Sequence, residues 1–183
     1  MRKELRFAGF GGQGIQLAGI ILGRAAALYE DLYAFQTQSI GPEARGGKSR
    51  CEVVISDNPR DYPKVRNLDI LIAMSQEALD SYISDLDSGK ILIYDPDMMT
   101  KHPERDDITI YKIPATKAAY ELGNRIVANV VMLGALVELT GVVSKDSIKK
   151  AVAESVKEKF IELNLKALEK GFELGKKAKG EVC

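Results

Sequence analysis

Residues 5–14 read Leu5-Arg6-Phe7-Ala8-Gly9-Phe10-Gly11-Gly12-Gln13-Gly14. The apolar run Leu5 to Ala8 stops at a glycine cluster, and a long apolar segment, Ile15 to Leu28, follows at once. That order predicts strand, tight turn and helix, with Gly9, Gly11 and Gly14 in the spacing Gly-x-Gly-x-x-Gly. A helix opening directly after such a turn presents unpaired N–H groups and the positive end of its dipole, which suits a phosphate or a carboxylate. The same turn also serves close helix packing, and the residues alone leave both readings open. A dinucleotide site asks in addition for an acidic residue ~20 positions on, at the end of the second strand, to hold a ribose. Glu30 and Asp31 have the right count but precede the next apolar run, Leu32 to Phe35. They belong to the helix-to-strand turn, where solvated charges are ordinary.

The chain has 183 residues, 45% hydrophobic and 28% charged, a profile that predicts one α/β domain over 1–183. Lys+Arg and Asp+Glu both count 26, so no basic excess argues for nucleic acid. The most apolar run, Ile126 to Leu139, contains Asn129, Gly134 and Glu138 and is too short and polar to span a bilayer. The charged opening, Met1 to Arg6, has no signal-peptide core, so a cytoplasmic protein is expected. Cys51 and Cys183 are the only cysteines, with no Cys-x-x-Cys, which argues against a self-contained iron–sulfur cluster or zinc site. A disulfide between them has no support. His102, the only histidine, lies in a polar loop and reads as a surface residue. No catalytic or metal-ligating residue is assigned, and any chemistry must be supplied by something else.

Further along, a helix over 12–29 is apolar nearly all round and should be buried, with Gly19 and Gly23 letting another backbone approach. Strands are predicted over 32–38, 48–56, 69–73, 91–94 and 109–113. The polar–apolar alternation at the start of 48–56 suggests a half-exposed or edge strand. Ser75 should cap a helix over 76–86, and helices follow over 116–122 and 124–139. A helical tail covers about 144–178, capped by Ser144, with Ile148, Val152, Leu163, Leu168 and Phe172 on one face. The alternation predicts a mostly parallel sheet covered by helices, with C-terminal helices added. Ligands of such sheets lie beyond the carboxyl ends of the strands. The glycine turn, Met74-Ser75-Gln76 and the loop Gly41-Pro42-Glu43-Ala44-Arg45-Gly46-Gly47 should converge there. Within that loop Arg45 is available to a carboxylate or phosphate, although Glu43 and Arg45 read equally well as a solvated turn.

Five pieces in order carry a resemblance. They are Gly9-Phe10-Gly11-Gly12-Gln13-Gly14; Gln36-Thr37-Gln38-Ser39; the loop Gly41 to Gly47; Ala73-Met74-Ser75-Gln76; and Ala115-Thr116-Lys117-Ala118-Ala119 with Glu121-Leu122-Gly123-Asn124 and Ala128-Asn129-Val130. Together they resemble the γ subunit of 2-oxoacid:ferredoxin oxidoreductases, most closely the 2-oxoglutarate type, with the branched-chain and indolepyruvate relatives still open. The resemblance implies a Rossmann-like domain that binds neither thiamine diphosphate with Mg2+ nor iron–sulfur clusters itself, since these sit in α, β or ferredoxin-like partner subunits. It implies a complex that decarboxylates a 2-oxoacid oxidatively, forms acyl-coenzyme A and CO2, and reduces ferredoxin. This chain would act in assembly and near the coenzyme A site. Gly9, Gly11, Gly12, Gln13 and Gly14 are then candidates for an anion or coenzyme A site. Gly41, Pro42, Glu43, Arg45, Gly46, Gly47, Ser75 and Gln76 are candidates for a partner-facing pocket. Helix faces that normally meet α or β are expected to pair as a homo-oligomer in the isolated chain. An autonomous NAD(P)-dependent enzyme and a pure scaffold remain the competing readings.

Overall fold

The computed structural model describes residues 1–40 and 48–181. Strands β1 (Arg2–Phe10), β2 (Tyr33–Ile40), β3 (Lys48–Ser56), β4 (Leu68–Ala73), β5 (Leu86–Tyr94) and β6 (Thr109–Lys112) form one sheet in the order β2-β3-β1-β4-β5-β6. β1, β4, β5 and β6 are parallel neighbours, and β3 alone is reversed, pairing antiparallel with both β1 and β2. This is the mostly parallel α/β sheet that the alternation of apolar runs predicts.

β3 is nevertheless an interior strand, so the edge reading of its alternation is corrected. Its exposed and half-exposed polar positions have partners on neighbouring elements: Lys48 pairs with Glu77, Glu52 with Arg6, and the Arg50 guanidinium lies 5.7 Å from the Tyr82 ring centre. Arg6 on β1 stands opposite Glu52 and binds it at 2.7 Å, also contacts Asp85, and lies with its guanidinium 4.8 Å from the Tyr82 ring centre. Arg6 is buried, and charges removed from water in this way persist only when paired.

The helices are α1 (Ile15–Tyr29), α2 (Gln76–Tyr82), α3 (Ala115–Glu121), α4 (Ala128–Thr140), α5 (Lys145–Ser155) and α6 (Ile161–Glu181). The main core joins Leu5, Phe7, Val53 and Ile72 of the sheet to Ile21 and Leu22 of α1, Val131 and Leu133 of α4, and Leu168 of α6. A smaller core sets Leu71, Leu92 and Tyr94 against Ala78 and Leu79 of α2 on the other face. The helix buried all round is α4, whose residues from Ala128 to Val137 are all buried. α1 leaves Leu28 61% exposed, against the expectation that it would be the enclosed one. A helix can be enclosed without penalty because its own ladder satisfies the backbone polar groups.

The close backbone approach also occurs elsewhere than predicted. Gly19 accommodates the Cys51 sulfur and the Gln36 side chain, and Gly23 only touches Ala34. Backbones meet where α4 crosses α6. A Cβ on Gly171 would overlap the Val131 carbonyl and lie 2.8 Å from the Gly134 Cα.

Several boundaries shift for local reasons. α2 ends at Tyr82 and tightens into a 3-10 turn over Ile83–Asp85. β5 begins earlier than predicted and continues through Ser88 and Gly89, with Gly89 at φ 80°. The tail divides into α5 and α6 because Val156 is extended. Glu30 closes α1 and accepts a hydrogen bond from Ser144 N at 2.8 Å, at the start of α5. Among the described residues no helix is long and apolar enough to cross a membrane.

Candidate functional site

β1, β4 and β5 all end at one rim of the sheet, and β3 starts there, since Phe10 pairs with Lys48. Between β1 and α1 the glycine turn is held by Gln13. Its Oε1 accepts from Phe10 N at 2.8 Å and its Nε2 donates to Met74 O at 2.7 Å, so one carboxamide ties the turn to the end of β4. Gly9 must lack a side chain because a Cβ there would collide with that Oε1 and lie 2.9 Å from Ile15 Cδ1. Gly14 caps α1 in the left-handed region at φ 74°, a conformation glycine adopts without the Cβ penalty. A Cβ on Gly14 would sit 2.7 Å from Asn129 Cγ, and Asn129 Nδ2 donates to Gly14 O at 3.1 Å. Two of the three patterned glycines thus make room for the chain's own carboxamides.

Replacing Gln13 with alanine removes both bonds and leaves Phe10 N and Met74 O to find water. The expected cost is about 2 kcal/mol. For a chain of this size that is a fall of roughly 4–8 °C in the unfolding midpoint. Thermal denaturation followed by circular dichroism checks it; an unchanged midpoint would show that the turn holds its shape without the clamp.

Two clefts flank the turn. One, of about 230 Å³, is lined by Gly11, Gly12, Gln13, Met74, Met98, Thr116, Arg125 and Ile126. The other, of about 330 Å³, lies between the start of α1, the turn before α4 and the α5–α6 connection. Gly12 and Ile126 border both. Arg125 is exposed and has no ion-pair partner among the described residues. With no side-chain cap at the α1 N-terminus nearby, this rim favours anions.

Of the other candidates, Ser75 caps α2 by accepting from Ala78 N at 3.2 Å. Gln76 Oε1 accepts from Thr100 N and Lys101 N, both at 2.9 Å, and so fastens the loop after β5. Both hold the rim together and neither lines the two clefts. Gly41, Pro42, Glu43, Arg45, Gly46 and Gly47 lie outside the described residues. Asn124 accepts from Ile126 N at 3.1 Å and so caps the turn before α4. His102 is exposed, with Nδ1 2.9 Å from the hydroxyl of buried Tyr94.

Sequence reading missed Asp95. It follows β5, is fully buried, and accepts from Thr116 N at 2.7 Å and Thr116 Oγ1 at 2.6 Å, and from Asp97 N at 3.1 Å. Burial pushes its carboxyl above the usual carboxylate range, with the Thr116 bonds pulling the other way. In the sequence no local pattern ties Asp95 to Thr116, across β6. Among the described residues no three or more His, Cys, Asp or Glu side chains are placed to hold a metal ion.

Residues 4–174 match the family model described as pyruvate ferredoxin/flavodoxin oxidoreductase. The chain is 56% identical over 179 residues to the 2-oxoglutarate synthase subunit KorC of Methanocaldococcus jannaschii, covering 96% of this chain and 95% of that one. Its fold superposes on the γ subunit of a keto/oxoacid ferredoxin oxidoreductase from Geobacter sulfurreducens with a TM-score of 0.86 and 46% identity, covering 96% of this chain and 99% of that one. It also superposes on the Magnetococcus marinus 2-oxoglutarate:ferredoxin oxidoreductase solved with 2-oxoglutarate, coenzyme A and succinyl-CoA bound, with a TM-score of 0.87 and 26% identity over 96% of this chain and 31% of that one. By the extent of the family match and by these identities, the chain belongs to the pyruvate ferredoxin/flavodoxin oxidoreductase family.

Proposed function

We propose that this chain is the γ subunit of a cytoplasmic 2-oxoglutarate:ferredoxin oxidoreductase. The complex decarboxylates 2-oxoglutarate oxidatively, transfers the succinyl group to coenzyme A with release of CO2, and passes the electrons to ferredoxin. The observation that carries this reading is the end-to-end identity with a 2-oxoglutarate synthase subunit.

Among the described residues no three or more His, Cys, Asp or Glu side chains converge, and the one described cysteine, Cys51, is buried, which supports assigning thiamine diphosphate–Mg2+ and the iron–sulfur clusters elsewhere. Those groups belong to the α, β and ferredoxin-like partners. Coenzyme A fits the rim better, because Arg125, the glycine turn and the start of α1 offer positive potential to its phosphates. The chain's own contribution is to present Gly11, Gly12 and Gln13 at that rim and to keep the turn rigid through the Gln13 clamp. Arg45, which falls between β2 and β3 in the sequence, is assigned to an anionic part of coenzyme A or to the adjoining subunit.

NAD(P) gains no support. Gln13 and Asn129 fill the approach to Gly9 and Gly14, and Glu30 lies at the opposite end of α1, bound to Ser144. The test is to isolate the tagged chain from its native cells and assay the eluate for 2-oxoglutarate- and coenzyme A-dependent viologen reduction. Activity with co-purified thiamine-binding subunits is expected; a lone, inactive chain would overturn the reading. In the assembled enzyme Arg45→Ala should raise the coenzyme A KM or weaken assembly, and no change in either would remove Arg45 from the site.

A further inference from the structure

We infer that the connection between β3 and β4, residues 57–67, docks an acidic face of a partner subunit. The inference rests on the subunit reading above and adds which surface of this chain the partner holds and by what chemistry.

Place is the first observation. β3 ends at Ser56, opposite Arg2 at the start of β1, and β4 begins at Leu68. The connection therefore lies at the end of the sheet away from the glycine turn. A partner that grips it leaves the coenzyme A rim open.

Construction is the second. Connections of this length without regular structure are usually functional, and this one is fastened by buried charge. Glu4, 3% exposed, accepts from Arg66 N and from Asn67 N at 2.8 Å, and pairs with Arg2 at 2.7 Å. Arg2 in turn donates to Tyr62 O at 2.8 Å and Lys64 O at 3.0 Å. Pro59 and Pro63 stiffen the same stretch. A buried ion pair adds little net stability, and here its bonds go to the backbone of an exposed loop. Fixing a loop before it meets a partner lowers the ordering cost of binding.

Charge selects the partner. The fixed backbone carries Arg60, Lys64 and Arg66, all exposed and without an ion-pair partner among the described residues. The loop's own carboxylates are engaged. Asp57 pairs with the Met1 amino group, while Asp61 accepts from Ser56 Oγ and lies 3.8 Å from Arg2. The Arg66 guanidinium lies 3.9 Å from the ring centre of Tyr62, which is 44% exposed. Tyrosine and arginine are the residue types that anchor interfaces, and unanswered cations around them match a face that presents carboxylates. A loop fixed around such an anchor suits a lasting subunit contact, whereas an electron carrier that leaves at each turnover needs steering charge alone.

The experiment uses the complex expressed with all its subunits, with p-benzoylphenylalanine introduced at position 62 for photo-cross-linking. The cross-link should map to a carboxylate-rich stretch of a partner subunit. The double variant Arg60→Glu, Lys64→Glu should bind its partners about tenfold or more weaker at low salt. Added salt should weaken the parent complex more than the variant. Both side chains are exposed and unpaired, so the isolated variant should melt with the parent chain. Cross-linking only to a second copy of this chain, cross-linking only to added ferredoxin, or normal assembly of the double variant would overturn the inference and leave the subunit reading standing. Failure of the unmodified chain to co-purify with thiamine-binding subunits would overturn both.

Discussion

Replacing Gly171 with alanine should lower the unfolding midpoint by roughly 6–12 °C, although it adds a single methyl group. At this crossing of α4 and α6 the neighbours are backbone. The new Cβ would overlap the Val131 carbonyl and lie 2.8 Å from Gly134 Cα and 2.9 Å from Ala135 N. A flexible side chain can swing aside, whereas two packed helices must separate. That loosens Leu168 and Phe172 from the core they share with Val131 and Leu136. Overpacking of this kind costs about 3 kcal/mol, and the direction opposes helix propensity, which favours alanine over glycine by about 1 kcal/mol. Gly180, on the same helix, is the control: nothing lies within 4 Å of its would-be Cβ, so Gly180→Ala should raise the midpoint or leave it unchanged. Calorimetry of both variants decides it; equal behaviour would mean that the crossing yields.

Asp95→Ala should cost about 3 kcal/mol, and the loss should depend on pH. The carboxylate is fully buried and answers Thr116 N and Oγ1 at the start of α3 together with Asp97 N in the turn after β5. Removing it leaves those donors enclosed without partners. Because burial raises the carboxyl's pKa, the folded state holds this proton more tightly than the unfolded chain does. The stability from that difference is complete below the unfolded value of about 3.9 and is lost as pH rises through the raised folded value. The gap between parent and variant should therefore be widest near pH 3.5 and narrower at pH 7, in urea melts across that range. A gap that widens with pH would mean that the fold favours the ionised form.

Local chemistry explains which parts of this fold can be read from the chain. The glycine turn, the Ser75 and Ser144 caps and the strand–helix alternation are written in neighbouring residues, and the structure has all of them. Long-range partners are not written that way. The alternation at the start of β3 reads as half-exposed or edge; its first half is half-exposed but the strand is interior, with Arg6, on another strand, facing Glu52. α1 and α4 have similarly apolar sequences, and which is enclosed depends on where α6 lies. Gln13 was a candidate for its place in the glycine pattern, while its clamp on Met74, 61 residues away, required the parallel pairing of β1 with β4. The aligned rim was legible from topology. Its two clefts were not, because the turn before α4 and the α5–α6 connection build walls that no periodicity announces.

The enclosure of α4 by α6 has a consequence during synthesis. α4 spans 128–140 and its cover spans 161–181, so the ribosome exposes the most apolar helix of the chain well before the helix that shields it. Until α6 emerges, the nascent domain carries an open apolar trench along α4, the kind of surface that chaperones bind and that drives aggregation. Completion of this subunit is thus governed by the arrival of one helix, and a chain halted before residue 161 should be held by chaperones and cleared before it could reach a partner.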